Sequence, residues 1–411
     1  MNANTYLLIR DVTEYVLQNK DKYSQEIIEN NLIPLMEKQY SPINYHAIYA
    51  TVENIFTKDL NEEERAVSRV KMLKRIPQFE QRSQEWYNVR KLMITASDIA
   101  TVTNDNPYQK SIAVLRKKCG LDDKFTGNKY TEWGVKYEEI ANKIYEIDYN
   151  TKVIEFGLIQ HPNISFLGAS PDGITVDGIM LEIKCPYVRE LKPDYEHNGV
   201  PHYYWIQVQI QLEVCELEYC DFQQCKLVEY DSKDEYDEDN FDGYKGCVVC
   251  EKIENNKLKY HYAPSLKMSE DELNKWLENY TDEKYFVTWW KLVDILYTRL
   301  KRDREWFREK LPVIESFWQD VVYYRRHGVT EILPKPRKKK PPVCLLDSDS
   351  DSKSDSDSIP GQNSLQESSV KESSVKESPK TVIKPKYSPI KKSVKKPKKA
   401  SNSIDLGVCL L

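Results

Sequence analysis

Leu167-Gly-Ala-Ser-Pro-Asp172-Gly-Ile174, resumed at Met180-Leu-Glu182-Ile-Lys184-Cys-Pro186, is the stretch whose reading decides the fold. Pro-Asp-Gly after an apolar run is a turn signal. The run from Met180 to Lys184 reads as a strand. Side chains alternate along a strand, so Glu182 and Lys184 share one face while Ile183 points into the core. Asp172, Glu182 and Lys184 then meet at a hairpin. Charged groups inside an apolar strand are costly unless partnered, and a divalent cation is a natural partner for carboxylates. The plain alternative is a common Asp-Gly turn beside a solvated Glu/Lys pair.

Working outward, the flanks mix helical and strand periods. Residues 1–77 read as helical, with Ile48, Val52, Ile55 and Phe56 near helical spacing. Thr131 to Asp148 reads as an amphipathic helix. Ile154–Ile159, Phe166–Ala169 and Ile179–Ile183 read as strands, as do Cys220–Val228, Gly246–Ile253 and Lys257–Tyr262. Tyr203–Val214 fits either period, with Gln207 and Gln211 on one helical face. Ser269 to Arg326 reads as a return to helix with a Trp-rich apolar face (Trp276, Trp289, Trp290, Trp306, Trp318).

Composition bounds the class. The 411 residues carry 60 Lys+Arg against 65 Asp+Glu, a net charge of −5, which excludes a histone-like polycation. It leaves open nucleic-acid binding through a local basic patch. No 18-residue apolar run points to a membrane span, and Arg10, Asp11 and Glu14 interrupt the first apolar stretch, so no secretory signal is expected. Nine cysteines without a small-scaffold spacing fit a reducing, intracellular compartment. Residues 331–411 hold 17 basic and 10 acidic residues with Tyr387 as the one aromatic, so they read as a disordered Ser/Lys/Pro-rich tail of net +7. The 330 residues before them are net −12. The tail includes basic clusters at 335–340 and 391–399, an Asp/Ser run at 347–358 and the unit ESSVK written twice. The basic clusters suit nuclear import or a non-specific DNA tether, and the Asp/Ser run suits phosphorylation.

Four further blocks frame the hairpin. They are Gln81-Arg-Ser-Gln-Glu-Trp86 with Arg90, Ile94-Thr-Ala-Ser97-Asp98, Trp133-Gly-x-x-Tyr137-Glu138, and Tyr204-Trp-Ile-Gln207-Val-Gln209. With Pro171-Asp172 and Glu182-x-Lys184, they resemble, in order, the PD-(D/E)XK nucleases of the lambda-exonuclease/YqaJ viral recombinase branch. The likeness is close over about residues 81–215 and weaker to about 328.

The resemblance implies a restriction-endonuclease-like α/β core over residues 78–330. Its mixed central sheet would be flanked by helices, with the site at the sheet's edge. It implies that Asp172, Glu182, the Ile183 carbonyl and Glu138 hold one or two Mg²⁺ or Mn²⁺ ions. Lys184 would orient or deprotonate the attacking water, and Gln207 would position the water or the lysine. Arg90 and Ser97 match positions that bind a 5′-phosphate, and Lys110 adds a further contact. The implied activity is a 5′→3′ exonuclease on duplex DNA ends in viral recombination or replication, and the composition suggests a large eukaryotic DNA virus. A single-strand annealing protein and a ring-shaped homotrimer are the implied partners, with no membrane. The rivals are an endonuclease or resolvase of the same fold, and a non-catalytic DNA-binding scaffold.

Other candidates have blander readings. Cys220, Cys225, Cys247 and Cys250 fall in strands without a zinc knuckle, so they read as small apolar side chains. Six histidines show no ligand spacing. His197 and His202 read as loop residues close to the proposed site.

Overall fold

The computed structural model describes residues 3–121, 127–253 and 257–334. The tail features at 335–411 lie outside the described residues. Four helices open the chain: α1 (Ala3–Asn19), α2 (Gln25–Gln39), α3 (Tyr45–Phe56) and α4 (Glu62–Arg75). The last shows why the segment is helical. Asn61 and Glu64 form a reciprocal capping box, acids fill the first turn, and Lys74 and Arg75 close the last. α1, α2 and α3 share a small core of Leu8, Val12, Ile28, Leu32 and Ile48. They are tied to the following chain, because Asn44 Nδ2 donates to the His161 and Pro162 carbonyls at 3.0 and 3.1 Å. Arg69, almost fully buried, pairs with Glu53 (2.9 Å) and with Glu216.

Next come α5 (Gln84–Lys91), β1 (Ile94–Thr95), α6 (Ala96–Val102), α7 (Ser111–Lys118) and the long α8 (Lys129–Tyr149). Then follow β2 (Val153–Ile154), β3 (Ile159–Gln160), β4 (Leu167–Ala169), β5 (Gly173–Thr175) and β6 (Met180–Lys184). A kinked turn α9 (Glu196–Gly199) and α10 (His202–Cys215) lead to β7 (Tyr219–Glu229). The later described elements are α11 (Lys233–Glu238), β8 (Lys245–Lys252), β9 (Leu258–Tyr262), α12 (Glu270–Leu277), β10 (Tyr285–Lys301) and α13 (Arg304–His327), followed by a short 3-10 turn (Thr330–Ile332).

The main sheet runs β2-β5-β6-β7-β10-β8-β9, and a small sheet runs β1-β4-β3. β6 and β7 are parallel, joined by the crossover through α10, whereas β6 and β5 form an antiparallel hairpin. The sheet is therefore mixed, and helices cover both faces. Leu181 and Ile183 pack with Tyr137, Ile140 and Ile144 of α8. Met180 packs on the opposite side with Ile206, Ile210 and Val214 of α10. Each such buried aliphatic side chain contributes about 2 kcal/mol. Among the described residues, no helix is long and apolar enough to cross a membrane.

Three expectations need correction. Ile154–Ile159 is not one strand; it divides between β2 and β3, which belong to different sheets. Gly157 explains the break, since its amide bonds to Gln78 Oε1 (2.7 Å) and a Cβ there would lie 2.1 Å from the Phe79 carbonyl oxygen. The backbone is pressed against the chain preceding α5 and has left the ladder. Ser269–Arg326 is not continuously helical either. Its middle is β10, paired along one edge with β7 and along the other with β8. Val287, Thr288, Val293, Ile295 and Thr298 suit a pleated surface, and the double ladder overrides the tryptophan spacing. Finally, β6 is an interior strand, so the hairpin charges sit at the end of an inner strand and not on the sheet's edge.

Candidate active site

The β5–β6 register sets Gly173 opposite Leu181, which brings Asp172 beside the Glu182–Ile183 peptide. Asp172 Oδ2 accepts the Ile183 amide at 2.7 Å. Its turn is fixed from behind, because Gln81 Nε2 donates to the carbonyls of Pro171 (3.0 Å) and Phe156 (2.8 Å). Gly173 suits the close approach of β2: a Cβ there would meet Val153 Cγ1 at 2.2 Å.

Strand alternation sends Glu182 and Lys184 together toward α10, where the Lys184 ammonium pairs with Glu182 Oε1. Glu182 is 1% exposed. Gln207 Nε2 donates to its Oε1 at 2.6 Å, and Gln211 Nε2 donates to its Oε2 at 2.7 Å. These two glutamines are one helical turn apart, which is why both reach the same carboxylate. Glu138 comes from α8 and accepts from Arg82 at 2.7 Å. Glu138, Asp172, Ile183 and Lys184 line one cleft of about 440 Å³, walled by Tyr130 and Tyr187.

The electrostatics follow from crowding. Burial, then Glu182 and Glu138, hold the Asp172 carboxyl well above the usual range. Burial also raises Glu138, against Arg82 and Lys184. For Lys184 burial acts downward, but Glu182 and Asp172 outweigh it and keep the ammonium charged. Three carboxylates thus share Lys184 and Arg82. Oxygen donors in negative excess fit a hard divalent cation. As the side chains stand, Lys184 pairs with Glu182, Arg82 pairs with Glu138 and Asp172 accepts the Ile183 amide, and no three His, Cys, Asp or Glu groups among the described residues form a ready ligand cluster.

A second cluster lies at α5–α7. Arg90 Nη2 donates to Ser97 Oγ at 3.2 Å, and its guanidinium stacks 4.1 Å from the Trp86 ring. Trp86 Nε1 donates to Ser170 Oγ at 3.0 Å, two residues before Asp172, so the two clusters are linked. Asp98 is buried and paired with Lys118 (2.8 Å) and Lys117 (3.2 Å). Burial opposes the Asp98 charge, but the two lysines outweigh it and hold the carboxyl below its ordinary range.

The structure thus brings together Asp172, Glu182, Lys184, Gln207 and Glu138 around Ile183, and separately Arg90 with Ser97. Lys110 is exposed at the N-cap of α7 and takes no part in the Arg90–Ser97 contact. Arg82, Gln211, Asp98 and Lys118 are additional. Gln211 was signalled by its one-turn spacing from Gln207, whereas Arg82 and Lys118 carry no local signal. The four strand cysteines are free and divide among three apolar clusters. His197 and His202 bond to each other (2.9 Å) and stack on Trp205.

The mixed sheet, the β5–β6 hairpin and the helices on both faces define a mixed α/β fold with the clustered charges at the end of β6. Residues 85–218 match the YqaJ-like viral recombinase domain. An uncharacterized protein of Acanthamoeba polyphaga mimivirus is 35% identical over 310 residues, covering 64% of this chain and 56% of its own length. A protein of African swine fever virus (strain Badajoz 1971 Vero-adapted) is 28% identical over 171 residues, covering 34% and 47%. The chain spans about half the length of the curated relatives it matches. Its relatives thus include proteins of large DNA viruses. Among solved structures, an alkaline exonuclease from Laribacter hongkongensis aligns with TM-score 0.38 and 21% identity over 60% of this chain and 95% of that one. A phage-related exonuclease from Haemophilus somnus aligns with TM-score 0.35 and 13% identity over 60% and 99%.

Proposed function

We propose that the chain is a Mg²⁺- or Mn²⁺-dependent DNA exonuclease. It hydrolyses phosphodiester bonds from duplex ends in the 5′→3′ direction, in viral recombination or replication. The observation that carries this reading is the convergence of Asp172, Glu138 and Lys184 on one cleft at the end of β6, with Glu182 buried behind it and paired with Lys184. A binding scaffold gains nothing from placing three carboxylates where a phosphate must come.

In this reading Asp172, Glu182 and Glu138, with the Ile183 carbonyl, hold the cation. When bound, it lowers the pKa of an attacking water and offsets charge on the scissile phosphate. Lys184 supplies positive charge to the phosphate oxygens and helps orient the water. Gln207 and Gln211 hold the Glu182 carboxylate in place against α10. Tyr204, its ring 5.1 Å from the Lys184 ammonium, flanks that lysine. Arg90 and Ser97 receive the 5′-phosphate, Arg90 through its planar fork of donors. A single-strand annealing partner, a ring trimer and nuclear import through the basic tail clusters complete the proposal, on the family resemblance and the sequence alone.

The test is a time course on end-labelled linear duplex with Mg²⁺, with and without chelator, on 5′-phosphate and 5′-hydroxyl ends. Mononucleotide release that needs the metal and favours 5′-phosphate is the expected result. Nicking of closed circles would replace the exonuclease with an endonuclease. Binding without cleavage in either metal would leave a scaffold.

A further inference from the structure

We propose that the buried Lys118–Asp98 ion pair is the positioning element of the 5′-phosphate pocket. This inference rests on the reading of Arg90 and Ser97 as that pocket. Lys118 lies on α7, and its side chain is 1% exposed. Its Nζ is 2.8 Å from Asp98 Oδ2 and donates to the Arg90 carbonyl at 2.9 Å. The same Asp98 oxygen accepts from the Thr95 amide (3.3 Å) and hydroxyl (2.9 Å). A single ammonium therefore ties the end of α5, which carries Arg90, to the start of α6, which carries Ser97.

A buried ion pair is a poor device for stability alone, because desolvation cancels much of the attraction and an apolar pair of the same volume does as well. What it supplies is a fixed separation between two backbones. Here those backbones carry two side chains that meet at 3.2 Å. The tie is closed from outside by Arg325 of α13, which donates to the carbonyls of Lys118 (2.7 Å) and Lys91 (2.6 Å). Around Asp98 the cations Arg90, Lys117 and Lys118 outnumber the acid. The cluster keeps a positive excess beside the exposed Ser97 hydroxyl.

The test compares wild type, Arg90→Ala and the double variant Lys118→Met/Asp98→Asn, which preserves volume and leaves no unpaired buried charge. Thermal melting reports folding. Binding of a 5′-phosphorylated against a 5′-hydroxyl oligonucleotide duplex, in chelator, reports the pocket without catalysis. The double variant should lose about tenfold in phosphate discrimination, the scale expected from misplacing a binding group by a fraction of an ångström. Arg325→Gln, which removes the outer tie and the guanidinium over the Trp318 ring but leaves the Lys118–Asp98 pair intact, should lose about threefold. It decides the question if the double variant does not fold. No wild-type discrimination overturns the pocket, and the inference with it. Wild-type discrimination that Arg90→Ala erases, but the folded double variant or Arg325→Gln retains in full, overturns the positioning role alone.

Discussion

The β6 cluster and the α5–α7 cluster are built from the same materials with opposite remainders. At β6, Asp172, Glu182 and Glu138 outnumber Lys184 and Arg82. At α5–α7, Arg90, Lys117 and Lys118 outnumber Asp98. Each has a buried centre, Glu182 in one and Asp98 with Lys118 in the other, where water does not neutralise charge at low cost. One imbalance is suited to a cation and the other to an anion, and Trp86 bonded to Ser170 joins them. A nuclease acting on a phosphorylated end needs both signs at a fixed spacing. The comparison yields separable tests.

The largest effect is expected from the acidic cluster. Lys184→Ala should lower the cleavage rate about 10³-fold on either kind of end, in a labelled-duplex time course. Binding of DNA in chelator should change far less. Equal activity in variant and wild type would place the chemistry elsewhere. The basic cluster should answer differently. Arg90→Ala should cost about 30-fold in kcat/KM on 5′-phosphate ends and little on 5′-hydroxyl ends, so the loss is confined to discrimination. A uniform loss on both ends would make Arg90 a general DNA contact and erase the distinction between the clusters.

The two clusters also differ in how far they could be read before folding. Asp172, Glu182 and Lys184 were legible because strand alternation is a local rule and the turn lies next to the strand. Glu138 and Gln207 came from ordered motif blocks, since nothing local says that α8 and α10 flank β6. Lys118 was not legible at all. A lysine in the triplet Arg116-Lys117-Lys118 reads as solvated, and only the packing of α7 on α6 buries it. The fold divides the same way. α8 and β7 had strong local periodicity. β10 was misread because its two ladders, to β7 and β8, are both long-range and outweigh the local tryptophan spacing.

Gln211 tests how the acidic cluster is supported. It is 1% exposed and bonds the Glu182 oxygen that Lys184 does not take. Gln211→Leu keeps the volume and removes the donor, and should slow cleavage about tenfold, the lower end for residues that orient ligand groups. Gln207→Leu should match it if both act through Glu182. A much larger loss for Gln207 would indicate a direct contact with water or DNA.

The smallest expected effect bears most directly on the imbalance. Arg82 is 44% exposed at its side chain and holds Glu138 at 2.7 Å. It is a counter-cation that competes with any metal for that carboxylate. Arg82→Ala removes one positive charge from an already acidic cluster and so should favour cation binding. An exposed pair of this kind contributes at most about 1 kcal/mol. The Mg²⁺ concentration for half-maximal cleavage should accordingly fall about threefold. A Mg²⁺ titration of the variant beside wild type measures it. A rise instead of a fall would mean that Arg82 holds Glu138 in its working orientation, and that shape, not charge excess, sets metal affinity at β6. The analogous change in the other cluster, Lys117→Ala, subtracts from a positive excess and should weaken phosphate discrimination. If the two substitutions moved their ligands in the predicted opposite senses, the remainders of charge, and not the individual contacts, would be what each cluster presents to its ligand.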